Sequence, residues 1–221
     1  MQNLPDADSW SAEEVVAWGQ ATLAPSIAIA SSFGAEDVVL IDIAARAGRV
    51  RVFTLDTDFL FPETYALIER IESRYEITVE RCRASLTPAE QAQRHGDALW
   101  TSRPDLCCNL RKVEPLTAKL AELRGWITGI RREQAPTRAE AQKIEWDARF
   151  GLVKLNPLAD WTAAEVWQYI RDHDVPYNPL HDAGFPSIGC THCTRAVAPG
   201  EDPRAGRWAG TEKTECGLHV S

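Results

Sequence analysis

The sequence predicts an α/β fold: a parallel twisted sheet with helices on both faces, followed by a loop-rich C-terminal tail. Three observations predict it. Short apolar runs alternate with helix-length segments from about residue 26 to residue 172, the runs read as buried strands rather than half-buried ones, and after Pro176 the periodicity stops.

Each element has a local reason. Ser11-x-x-Glu14 is a capping box, and Val15, Val16 and Trp18 give the first helix an apolar side. Ser26 to Ala30 is a buried strand that breaks at Ser31-Ser32-Phe33-Gly34, after which Val38, Val39, Ile41 and Ile43 suit a helix packed on a sheet. Val50 to Leu55 is a second strand ending in Asp56-Thr57-Asp58, and Pro62-Glu63 opens a helix running to about Arg74, since proline is favoured in a first turn. Ile77 to Cys82, Trp126 to Gly129 and Leu152 to Leu155 are further strands, with helices from Leu110 to Leu123 and from Thr162 to Asp172. In such a sheet ligands bind at the carboxyl ends of the strands. No internal repeat or sharp change of composition divides the chain, so residues 1–221 read as one domain, with a core at about 11–175 and a functional tail at about 176–221.

At 221 residues and 44% hydrophobic content the chain can bury one sizeable core. A formal net charge of -8 disfavours a general nucleic-acid binder, because phosphate backbones are held by clustered Lys and Arg. An anionic ligand must therefore meet a local basic site. Met1 to Ser9 lacks the pattern of a signal peptide, and no apolar run approaches the ~20 residues of a membrane span, so the expectation is a soluble, cytoplasmic protein. In a reducing compartment six cysteines are expected to be metal ligands or catalytic thiols rather than a disulfide framework.

Cys190-Thr191-His192-Cys193 is a CxxC on a loop, which fits a zinc half-site, a redox pair or an iron-sulfur half-site. Cys107-Cys108 is a rarer adjacent pair at the start of a helix, whose thiols turn toward one centre only if the backbone bends there. Together the pairs supply four thiolates, enough for a tetrahedral zinc or a four-iron cluster, and the vicinal pair favours iron-sulfur because zinc sites usually use two CxxC-like turns. His181 and His192 are loop histidines, expected to be solvated rather than ligating, and Cys82 is expected to be a small core hydrophobe. Cys216 is different: it lies among glycines in the tail, beside Lys213 and His219, whose positive charge would favour the nucleophilic thiolate. Basic residues follow these features: Arg111 and Lys112 after the cysteine pair, Arg131, Arg132 and Arg138 after Gly129, and Arg204 and Arg207 before Cys216. Ser31 to Asp37, at a helix N-terminus, offers hydroxyls and backbone N–H groups to an anion but lacks the ordinary nucleotide P-loop pattern.

With the cysteine pattern, Ser31-Ser32-Phe33-Gly34, Leu55-Asp56-Thr57, Pro62-Glu63-Thr64-Tyr65 and Glu215-Cys216-Gly217-Leu218-His219, the chain resembles the assimilatory adenylyl-sulfate reductases over about residues 26 to 221. That family is related in fold to the adenine nucleotide alpha-hydrolases, which implies a modified phosphate loop at Ser31 to Asp37. The resemblance implies reduction of adenosine 5'-phosphosulfate to sulfite and AMP with electrons from thioredoxin. By motif, Cys107, Cys108, Cys190 and Cys193 would bind a [4Fe-4S] cluster and Cys216 would be the nucleophile. Lys112 would sit between cluster and substrate. Arg138, Arg204 and Arg207 would meet phosphate and sulfate oxygens, and Leu55, Asp56 and Thr57 would line the adenosine. Ser31, Ser32, Gly129, Arg131 and His219 complete the expected substrate-binding set. The family motif reads Leu-Asp-Thr-Gly, whereas this chain has Asp58 in the fourth place.

Three other readings compete. The cluster-free relatives that take 3'-phosphoadenylyl sulfate share the Cys216 tail but lack the four-cysteine set. An adenylating enzyme of the same fold would leave Cys216 unexplained, and a zinc-stabilised binding module would use the cysteines structurally. The oligomeric state, homo-oligomer included, is open, and Lys143 stands as a surface lysine against which Lys112 can be judged.

Overall fold

The computed structural model describes residues 4–48, 51–209, 213, 217 and 218. They form two compact units: Met1–Thr54 with Ile68–Glu80 and Leu120–Tyr177, and Leu55–Leu67 with Arg81–Lys119 and Asn178–Ser221.

A six-stranded sheet runs through the fold in the order β3-β2-β1-β4-β6-β5, with β1 at Ile27–Ala30, β2 at Val52–Asp56, β3 at Val79–Arg83, β4 at Gly125–Ile127, β5 at Ile144–Asp147 and β6 at Leu152–Leu155. Strand β1 pairs in parallel with β2 and β4, and β4 pairs in parallel with β6, as the uninterrupted apolar runs predict. The sheet is nevertheless mixed, because β5 lies antiparallel on β6 at its edge. Strand β5 was not expected. Its four residues, Ile144-Glu145-Trp146-Asp147, bury only Ile144, so it has no apolar run to betray it. The turn after it is fixed locally, by the Asp147 side chain accepting from the N–H groups of Arg149 and Phe150.

In the first unit, helix α1 (Ala12–Leu23) starts at the expected capping box: the N–H of Glu14 donates to Ser11 Oγ and that of Ser11 to Glu14 Oε2. Helix α2 (Ala35–Ala47) has Val38, Val39, Leu40 and Ile41 all fully buried. Two polar residues of that helix, Asp37 and Asp42, are buried as well. The Asp42 carboxylate accepts from Arg46, Tyr75 and Tyr169, so its buried oxygens are met by donors. Helix α3 (Pro62–Tyr75) begins at its proline, and α8 (Ala163–Asp172) is capped by Thr162 and Glu165. Lys143, expected on the surface, is 3% exposed: its ammonium donates to the carbonyl of Trp10 and pairs with Asp160.

The second unit contains little regular sheet. Helix α4 (Pro88–His95), unforeseen despite its Thr87–Glu90 capping box, is followed by the short helices α5 (Leu99–Ser102) and α6 (Pro104–Cys108). Next come a π-helical turn at Asn109–Val113 and α7 (Glu114–Leu120). A single helix from Leu110 to Leu123 was expected; the helical run instead opens at Pro104 and widens into a π turn directly after the cysteine pair. From Asn178 the chain uses single 3-10 turns at Pro179–His181 and Thr191–Cys193 and two isolated bridges, Leu60 with Cys190 and Thr194 with Arg207. Among the described residues no helix is long and apolar enough to cross a membrane.

Candidate active site

Both cysteine pairs belong to the second unit, where all four residues line one pocket. Cys107 and Cys108 end α6, and the π turn supplies the bend that two neighbouring thiols need to face one centre. Cys190 and Cys193 flank a 3-10 turn, held because the N–H of Thr191 donates to the carbonyl of Phe59 and Leu60 bridges Cys190. Thr57 Oγ1 lies 3.4 Å from Cys190 Sγ. Phe59, Trp100, Pro104 and Trp208 complete the apolar wall. No disulfide joins these cysteines. Burial and the neighbouring cysteines push the Cys107 and Cys193 thiols up to about 11, while Lys112 and Arg207 draw Cys193 the other way. Among the described residues no group of three or more His, Cys, Asp and Glu is placed to hold a single metal ion.

Lys112 and Arg111 also line the pocket. Arg207 lies 4.5 Å over the Trp208 ring, and Nη1 donates to Ser187 Oγ at 3.2 Å and the Ile188 carbonyl at 3.4 Å. Gly189 makes this possible, since a Cβ there would fall 2.4 Å from Arg207 Nη2. Arg204 and Lys213 approach the same indole, at 6.0 and 5.6 Å. The structure thus gathers Lys112, Arg207, Arg204 and Lys213 around the cysteines and Trp208. Cys216 and His219 lie outside the described residues.

The Leu55-Asp56-Thr57-Asp58 segment ends β2. Asp56 accepts from Tyr65 Oη at 2.7 Å and from Arg83 at 2.9 and 3.0 Å. Burial raises its pKa, but these donors and the Asp58 N–H outweigh that and hold the carboxyl below the usual range. Asp58 takes φ +59, the left-handed conformation that glycine would adopt freely, and its carboxylate meets Arg111 Nη1 at 2.9 Å.

In the first unit the Ser31–Asp37 turn is occupied from within. Asp37 Oδ2 accepts from the N–H of Ser32 at 2.5 Å and from its hydroxyl at 2.8 Å, and Ser31 Oγ accepts from the N–H of Phe33. Burial pushes the Asp37 carboxyl up to about 6. Gly129 lies two residues beyond β4, where a Cβ would fall 2.5 Å from Asp37 Oδ1. Arg131 donates to Glu36 Oε1 at 2.8 Å and also pairs with Glu133, and Arg138 Nη1 donates to Gln134 Oε1 at 2.6 Å. The donors expected to meet an anion here therefore face carboxylates or an amide of the chain itself.

Sequence reasoning missed the aromatic wall. His192, expected to be solvated, stacks on Trp100 with centroids 3.9 Å apart and an interplanar angle of 7°, and Phe59 meets both rings edge-on. Only the tryptophan count, eight in 221 residues, hinted at such a wall. Cys82, expected in the core, is only partly buried on β3.

This geometry has known counterparts. Residues 26–196 match the phosphoadenosine phosphosulfate reductase domain. The adenosine 5'-phosphosulfate reductase of Shouchella clausii is 49% identical over 209 residues, spanning 94% of this chain and 87% of that protein. The phosphoadenosine 5'-phosphosulfate reductase of Gloeobacter violaceus is 47% identical over 212 residues, 94% of this chain and 88% of that protein. The crystal structure of the phosphoadenylyl-sulfate reductase of Candida auris, a phosphate complex, superposes with a TM-score of 0.74 at 34% identity, covering 84% of this chain and 90% of that one. The match covers the sheet, the Ser31–Asp37 turn and both cysteine pairs, and this chain belongs to the phosphoadenosine phosphosulfate reductase family, oxidoreductases acting on a sulfur group.

Proposed function

We propose that the chain reduces adenosine 5'-phosphosulfate to sulfite and AMP in the cytoplasm, as a step of sulfate assimilation and cysteine biosynthesis, with thioredoxin as electron donor. The observation that carries this reading is the pocket lined by four cysteines with Lys112 beside them. The residues fit a [4Fe-4S] cluster held by Cys107, Cys108, Cys190 and Cys193: four thiols, a bend after the vicinal pair and a largely apolar wall. A tetrahedral zinc would instead bring its thiolates within about 3.8 Å of one another, from Zn–S bonds of about 2.3 Å. The four side chains ring a pocket without converging on one ion. A bound cluster would supply a fixed charge distribution beside the substrate and a structural tie.

The chemistry belongs to this chain's thiol. The Cys216 thiolate attacks the sulfur of the phosphosulfate, the S–O bond to the phosphate breaks, and AMP leaves while the sulfonate stays on Cys216 as S-sulfocysteine. A thioredoxin thiolate then attacks the Cys216 sulfur and sulfite departs with the bonding pair; the second thioredoxin thiol resolves the mixed disulfide, so the dithiol supplies both electrons. Lys112, Arg204 and Arg207 stabilise the negative charge held on the phosphate and sulfate oxygens. Ser31, Ser32, Gly129, Arg131 and Arg138 bind the nucleotide phosphate by exchanging their partners within the chain for it, Leu55, Asp56 and Thr57 line the adenosine, and His219 supports Cys216.

Anaerobically purified protein incubated with adenosine 5'-phosphosulfate and no thioredoxin should gain one sulfonate on the peptide containing Cys216, seen by intact and peptide mass spectrometry and released as sulfite by reduced thioredoxin. An unmodified Cys216 together with a fully active, iron-replete Cys216→Ser variant would overturn the mechanism. The relative from Gloeobacter violaceus favours a second reading, 3'-phosphoadenylyl sulfate as substrate, and the same trapping run with that nucleotide decides between them.

A further inference from the structure

Asp58 departs from the family motif, and its surroundings explain why. Arg111, three residues after Cys108, is 1% exposed on the π turn. Its guanidinium is engaged on every side. Nε donates to Gln91 Oε1 at 2.8 Å, Nη2 to the Leu86 carbonyl at 3.3 Å, and Nη1 to the Thr57 carbonyl at 3.1 Å and Asp58 Oδ2 at 2.9 Å. Its Cζ lies 4.7 Å from the centroid of the Phe59 ring. Three of these contacts fall on one turn, residues 57–59.

That turn also grips the other cysteine pair. Thr57 Oγ1 meets Cys190 Sγ, the Phe59 carbonyl accepts from the N–H of Thr191 at 2.8 Å, and Leu60 bridges Cys190. The 57–60 turn is therefore a tie with the CxxC on one side and, through Arg111, the vicinal pair on the other. A buried guanidinium is costly unless a carboxylate meets it, since neutral carbonyls and an amide answer its hydrogen bonds but not its charge. Asp58 supplies that charge, and does so from a left-handed backbone conformation that glycine adopts freely and, among the other residues, Asn and Asp tolerate best.

We propose that Asp58 and Arg111 are a pair of positioning residues that lock the two cysteine pairs into one cluster-binding pocket, with the Asp58 carboxylate rather than the turn it sits in doing the locking. The inference rests on the cluster reading above. A residue kept for the turn alone and one kept for its charge respond oppositely to glycine. If only the turn mattered, Asp58→Gly would relieve the left-handed strain and hold iron as well as or better than the parent. If the carboxylate matters, Asp58→Gly loses the countercharge of a buried cation, and Asp58→Asn, which tolerates the same φ and can still accept from Arg111, restores part of the effect.

The experiment compares anaerobically purified parent, Asp58→Gly, Asp58→Asn and Arg111→Lys proteins for the rate of iron release to a ferrous chelator, with the visible and low-temperature EPR spectra recorded alongside. Release from Asp58→Gly should be about fivefold faster than from the parent, with Asp58→Asn between them and a shifted cluster spectrum in both. Arg111→Lys, which keeps the charge but loses the fork, should release fastest. If Arg111→Lys fails to fold, the two Asp58 variants decide. Equal or slower release from Asp58→Gly overturns the proposal. Parent protein purified without iron overturns the cluster reading instead. The pairing is then tested by alkylation rates at Cys107 and Cys190, which should rise in Asp58→Gly; unchanged rates overturn it too.

Discussion

The two units are stabilised by different kinds of contact. In the first, most of the interior is aliphatic: Ile29 of β1 and Val38, Val39, Leu40 and Ile41 of α2 are fully buried beside Phe33, Phe53 and Trp126, and the buried Asp42 carboxylate is met by Arg46 of its own helix and by the phenols of Tyr75 and Tyr169 on α3 and α8. In the second, the organising residue is a buried arginine, the walls are aromatic rings meeting edge-on or stacked, and four thiols share one pocket. Aliphatic packing is non-directional and tolerates exchange of shape at constant volume, whereas the fork of Arg111 and a ring of thiols accept few replacements. One unit should therefore lose stability by degrees under mutation, and the other should lose function all at once.

The largest effect expected is a double dissociation. Cys107→Ser should abolish bound iron, colour and turnover together while leaving the far-ultraviolet circular dichroism of the sheet and its helices intact. Ile41→Ala should lower unfolding stability by about 2–5 kcal/mol, yet retain the parent iron content at low temperature. Iron assay and thermal melts on the same preparations check both. An iron-replete Cys107→Ser protein would break the comparison at its second member, and loss of iron in Ile41→Ala would break it at the first.

A smaller effect sharpens the second unit internally. Lys112→Ala should reduce kcat/KM for adenosine 5'-phosphosulfate by roughly 100-fold, the scale of removing one preorganised donor from a developing charge. The control is Arg70→Ala, an exposed cation on α3, rather than Lys143, whose burial against Trp10 and Asp160 makes it structural. Equal, small losses in steady-state assays of Lys112→Ala and Arg70→Ala would remove Lys112 from the site.

Legibility in the sequence followed the same division. Strands β1, β2 and β6 and helices α1, α3 and α8 were readable because an apolar run, an N1 proline or a capping box each acts over a few residues. Strand β5 was not, since its only buried side chain is Ile144 and its pairing with β6 is a tertiary fact. The cysteines could be grouped because thiols are rare and their spacing is informative, and the structure brings all four to one pocket. What could not be read was what holds them. The partners of Arg111 lie 20 to 54 residues away, and the His192–Trp100 stack spans 92 positions, so no local pattern records either. The Ser31–Asp37 turn shows the limit from the other side: its donors were visible, but not that Asp37 would fold back onto Ser32.

That turn gives the first unit its one strained charge, and with it the smallest of the expected effects. Burial raises the Asp37 carboxyl from 3.8 to about 6, and Glu36 adds to the rise, while the Ser32 hydroxyl, the Ser32 N–H and the Gly34 backbone oppose it. Arg131 is engaged by Glu36 and Glu133 instead of by Asp37. Because the folded-state pKa lies above the unfolded value, the folded protein binds the extra proton between about pH 4 and 6. Asp37 therefore costs nothing below pH 4, and its cost grows as pH rises through that window to a plateau above 6, on the order of 3 kcal/mol at most. Asp37→Asn keeps an oxygen to accept both Ser32 donors and carries no charge. It should melt with the parent near pH 4 and above it at pH 8, with the gap opening between those limits, as followed by circular dichroism across a pH series. A gap that is constant with pH would place the effect in the hydrogen bonds rather than the charge, and a variant less stable than the parent at pH 8 would show that the ionised carboxylate holds the turn despite its burial.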